Sequence, residues 1–135
     1  MGQDRIENID RIIQAWVGSS DENYDTMLDL YQAKRYSWAL FLGHLSIEKL
    51  LKAYFVKVNN EHAPLLHNLS RLAELSQINL TDEQRIDFST ITTFNLNARY
   101  DDYKQSFSNK CTMEYTDFWI TKIKYYQQWI KQLLK

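Results

Sequence analysis

Residues 37–59 read SWALFLGHLSIEKLLKAYFVKVN, and this stretch decides the fold. Leu40, His44, Ile47, Leu51, Tyr54 and Val58 recur at 4-3-4-3-4 spacing, which is one face of an α-helix. Phe41, Leu45, Glu48, Lys52 and Phe55 form a second, adjacent stripe. From Trp38 to Ile47 the only titratable side chain is His44. A helix that is apolar most of the way round must be covered on several sides. It forms either the centre of a bundle or half of a dimer interface, and both alternatives stand.

On its N-terminal side the chain is helical too. Ile6, Ile13, Val17, Ser20, Tyr24, Met27 and Tyr31 keep a heptad-like register through Gly18-Ser19-Ser20. Ser19 with Glu22 has the form of a capping box. Two helical stretches, collinear or kinked at Gly18, are therefore expected, with a short break near Lys34-Arg35-Tyr36. On the C-terminal side, Asn59 to Pro64 reads as a loop and Asn68 to Gln77 as a short helix. Thr81 with Gln84 makes a capping box for a further helix ending near Asn97, with Asp82 and Glu83 in its first turn. Its run Thr90-Ile91-Thr92-Thr93 is a weak helix former. Arg99 to Lys110 reads as a polar connection. The last helix starts near Thr112, with Tyr115, Trp119, Ile123, Tyr126, Ile130 and Leu133 facing inward and Lys122, Lys124, Lys131 and Lys135 on its wet side.

Composition agrees. In 135 residues there are 3 glycines and 1 proline, too few turn-formers for a many-stranded β protein. The expected architecture is a single all-α domain over residues 1–135, an up-and-down four-helix bundle with an additional short helix. A net charge of −1 gives no global attraction to nucleic acid or an acidic membrane, so any phosphate contact must be local. A lone Cys111 allows no intrachain disulfide and fits a cytoplasmic setting. The start, MGQDRIENID, lacks an apolar core, so no secretory signal is expected, and no membrane span is expected either. Four Trp and 9 Tyr supply either large core rings or a subunit interface.

Four constellations could carry chemistry. His62 and His67 flank Pro64, but two histidines without a cysteine partner are too few for zinc, and no metal is expected. Gly18-Ser19 resembles the Gly-Ser of nucleotidyltransferases, yet no D-x-D pair follows to hold Mg²⁺. His44 and Glu48 lie one turn apart and could serve acid–base chemistry or form a satisfied polar pair within a bundle. Arg99, Tyr100, Asp101, Asp102 and Tyr103 form the densest polar-aromatic cluster. Arginine suits a phosphate fork and tyrosine stacks on a base; alternatively Arg99 pairs with a carboxylate such as Glu48 while Tyr100 packs.

Three segments resemble the HEPN family of helical domains. Residues 36–53, YSWALFLGHLSIEKLLKA, look like its H-L-x-x-E-K-x-L-K-A helix. His67 with Leu69 and Leu72 is similar to the H-x-L-x-x-L opening of its next helix. Asn97-Ala98-Arg99-Tyr100-Asp101-Asp102 is similar to its N-x-A-R-Y-P-D signature, with Asp101 in place of proline. The resemblance implies a bundle that is often a homodimer and is linked to small nucleotidyltransferases, as a companion subunit or as the toxin of a toxin–antitoxin pair. Members that cut RNA carry R-x4-6-H; here the positions after Arg99 are Lys104, Gln105 and Ser106. The expectation is thus a non-catalytic nucleotide- or substrate-binding companion of a separately encoded nucleotidyltransferase, with no catalytic residues and no cofactor beyond a nucleotide ligand. Arg99, Tyr100, Asp102 and Tyr103 would bind, supported by His44, Glu48, His67 and Asn97. The alternatives are a divergent ribonuclease toxin acting on RNA, and a structural dimerisation or adaptor module.

Overall fold

The computed structural model describes residues 8–135. Ile6 and the reading of the first seven residues fall outside it. Six helices follow one another: α1 (Ile9–Gln32), α2 (Tyr36–Asn59), α3 (Leu69–Leu75), α4 (Asp82–Arg99), α5 (Asp101–Lys110) and α6 (Met113–Leu134).

The long helices form an up-and-down bundle whose directions can be read from their cross-contacts. Ser20 Oγ lies 3.0 Å from Ser46 Oγ, and Lys49 reaches back to Ser19, so α1 and α2 are antiparallel. Phe88 packs on Tyr126 and Phe94 on Trp119, so α4 opposes α6. Lys131 pairs with Asp21, and the Tyr31 hydroxyl donates to Asp117, so α6 also opposes α1. The helix α2 lies at the centre and touches α1, α3, α4, α5 and α6. Its residues Leu40, Ile47, Leu50 and Leu51 are fully buried, as the all-round apolar pattern demands. Gly43 is where α1 and α6 close on it: a Cβ there would lie 2.5 Å from Ile123 Cδ1 and 3.0 Å from Met27 Sδ.

Some local expectations are corrected. The first helix is continuous through Gly18, and Ser19 is not a cap: its hydroxyl accepts from Lys49 Nζ at 2.6 Å. Tertiary contact there outweighs the local capping signal. The break at 33–35 is a Schellman turn, with Arg35 N donating to Leu30 O and Lys34 left-handed at φ 61°. The capping box of Thr81 and Gln84 forms as the sequence implies. The β-branched run stays helical because Ile91 is buried in the core between Phe88 and Phe94, while Thr92 and Thr93 turn their hydroxyls back to Phe88 O and Thr90 O.

The polar stretch 101–110 is not a connection but a second short helix, α5. Phe107, its one buried residue, packs on Phe94 at 5.5 Å between centroids. On α6, the half-buried Lys122 bridges to α4 from the solvent side: its ammonium sits 3.0 Å from Asp87 and 3.1 Å from Glu83.

Candidate functional site

The site grows from the break between α4 and α5. Tyr100 is extended, at φ −91° and ψ 130°, and ends one helix while starting the next. Asp101 occupies the first position of α5, where proline is also well tolerated, so the aspartate preserves the bend that a proline would set. Asp101 and Asp102 then face the positive end of α5. The bend leaves Arg99 and Tyr100 exposed at the rim of the bundle, with the guanidinium 5.1 Å from the Tyr100 ring centroid.

Behind Arg99 runs a polar chain into the core. Arg99 Nε donates to Asn95 Oδ1 at 2.8 Å and to Asn95 O at 3.1 Å. Asn95 Nδ2 faces His44 Nδ1 at 3.5 Å, and His44 Nε2 donates to the carbonyl of His67 at 2.9 Å. Each donor and acceptor is consistent with a neutral His44 that carries its proton on Nε2. Burial pushes His44 below its ordinary pKa, opposed by its bond to the His67 backbone and by the Glu48 charge. The His67 ring, itself exposed, meets Glu48 Oε1 through Nδ1 at 3.0 Å, while Glu48 Oε2 accepts from Lys52 Nζ at 3.0 Å. Lys52 in turn lies 5.5 Å above the Trp16 ring of α1.

His44 and Glu48 therefore do not bond directly; their closest atoms are 3.8 Å apart, and the His67 segment joins them. Nor does Arg99 pair with Glu48, whose oxygens are taken by His67 and Lys52. Arg99, Tyr100, His44, Glu48 and His67 are thus brought into one linked set. Asp102 and Tyr103 lie on the exposed side of α5, and Asn97 is half-buried; none of the three makes a side-chain hydrogen bond among the described residues. The residue that sequence reading missed is Asn95. It is 5% exposed and stands one turn before Arg99, so its signal was a polar residue on the inner face of α4 next to Phe94.

The arrangement can hold an anion. Arg99 is exposed and only its Nε is hydrogen-bonded among the described residues, which leaves the terminal nitrogens available as a fork for phosphate oxygens beside an aromatic face. His44 is poorly placed for proton transfer, being buried with both nitrogens engaged, and residues 104–106 carry no imidazole; the exposed imidazole of the set is His67, held by Glu48. No group of three or more His, Cys, Asp or Glu side chains suited to a metal ion occurs among the described residues, and none of the described helices is long and apolar enough to cross a membrane. A groove of about 840 Å³ lies elsewhere, between the start of α4 and α6.

Comparison with known proteins gives one result. The family model described as HEPN domain matches residues 13–132, most of the chain and every element of this site. Comparison with curated proteins and with solved structures finds no match.

Proposed function

The chain belongs to the HEPN family, and from that footing we propose that it is a non-catalytic binding subunit that serves a separately encoded nucleotidyltransferase. One observation carries this reading. Arg99 is anchored through Asn95 to a buried histidine whose two nitrogens are both engaged, so the site offers a cationic fork backed by an imidazole that is held in place rather than open to a substrate. Such a fork, next to the Tyr100 ring, suits the phosphate and base of a nucleotide. In this reading the protein works as a cytoplasmic homodimer within a toxin–antitoxin-like gene pair, and the partner supplies the metal and the chemistry.

The test is co-expression with the neighbouring transferase, followed by thermal melts with and without nucleoside triphosphate. The complex should co-purify, and nucleotide at 100 times its Kd should stabilise the protein by about 2.7 kcal/mol. Arg99→Ala should abolish the nucleotide effect. RNA cleavage by the purified protein that is lost in Arg99→Ala would instead identify a ribonuclease toxin. A dimer of the expected mass with no response to any nucleotide would identify an adaptor.

A further inference from the structure

The groove between the start of α4 and the outer face of α6 exposes two aromatic rings that the core does not enclose. Phe118 and Tyr125 are 55% and 59% exposed, whereas Phe88 and Phe94 are wholly buried. They stand seven residues apart on α6, two turns along one face. Glu83, Glu114 and Asp117 surround them. The one cation in the lining, Lys122, is already held by Asp87 and Glu83. Glu114 makes no ion pair among the described residues, and Asp117 accepts only a hydroxyl, from Tyr31. The groove is therefore net acidic on a chain whose overall charge is −1. From Glu114 to Tyr125 it extends roughly 16 Å along α6, at 1.5 Å per residue.

We propose that this groove docks a Lys/Arg-bearing amphipathic segment of a partner protein, whose apolar side chains sit on Phe118 and Tyr125 while its cations meet Glu83, Glu114 and Asp117. Charge complementarity selects this occupant. An acidic segment would be repelled by the net negative lining, and a purely apolar one would desolvate Glu114 and Asp117, which make no ion pair among the described residues. The size suits about three turns of helix, and exposed aromatic rings ringed by charge are the usual anchors of such docking. The inference does not depend on the Arg99 site, which lies on another part of the molecule.

The test uses the full chain and two fluorescein-labelled 12-residue amphipathic helical peptides, one of Lys and Leu and one of Glu and Leu. Anisotropy should show binding of the Lys/Leu peptide alone, and amide shifts should centre on residues 114–125. Affinity should fall by about tenfold or more in Glu114→Gln/Phe118→Ser, and should fall again with added salt. Both substituted residues are exposed, so the variant should keep its wild-type melting curve. Arg99→Ala should leave peptide binding unchanged. Equal affinity in wild type and the double variant, shifts centred elsewhere, or comparable binding of the Glu/Leu peptide overturns the proposal. A peptide-free dimer that dissociates in the double variant also overturns it, because the groove would then belong to a second copy of this chain.

Discussion

His44 shows how one residue can be central to a site without being reactive. It is fully buried, and its two nitrogens tie the His67 loop to α4. Its folded pKa lies below its ordinary 6.5. Between those two values the unfolded chain binds a proton that the native chain does not. The contribution of His44 to stability is thus complete above about pH 6.5 and is lost progressively as pH falls toward the folded value. Urea denaturation at about pH 7.5 and pH 5.5 should show a loss of stability that is smaller in His44→Gln. An identical loss in the variant would contradict the assignment. At this scale the sequence revealed the right residue types but not their pairings. His44 and Glu48 are one turn apart, which suggested a direct bond; a segment 19 residues beyond Glu48 inserts between them instead. Asn95 was invisible because the partner that gives it meaning, His44, is 51 residues away.

At the scale of the element, caps and periodicity were legible wherever the chain itself supplied the partner. The Thr81–Gln84 box is local, and it forms. Ser19 and Glu22 carried the same local signal, and a lysine from α2 overrode it. The helix α5 was missed because it has a single buried apolar side chain, Phe107, and no periodic stripe to announce it. Two backbone predictions follow from helix geometry. Gly18 is mid-helix, and a Cβ there meets nothing within 4 Å. Gly18→Ala should stabilise the protein by about 0.5–1 kcal/mol in chemical denaturation. Lys34 has the left-handed backbone, φ 61°, that glycine adopts freely. Lys34→Gly should stabilise the α1–α2 turn by up to about 1 kcal/mol. A destabilisation by either substitution would show that the backbone at that position differs from the one described.

For the whole molecule, the all-round apolar helix left two outcomes open: bundle centre or dimer half. Within one chain α2 is the bundle centre, covered by α1, α3, α4, α5 and α6. A core organised on one helix should unfold as a unit. Leu50→Ala, at a fully buried position of α2, should cost about 2–5 kcal/mol. Far-ultraviolet circular dichroism and tryptophan fluorescence should still lose structure together. Separate transitions would mean that the helices do not share one core.

The central functional claim is that Arg99 is a phosphate-binding fork rather than part of a nuclease centre. Isothermal titration with a nucleoside triphosphate, on wild type and on Arg99→Ala, tests it most directly. Wild type should bind, and the variant should bind about 10- to 150-fold more weakly, the equivalent of one charge-assisted contact. Equal affinity in the two proteins would contradict the claim.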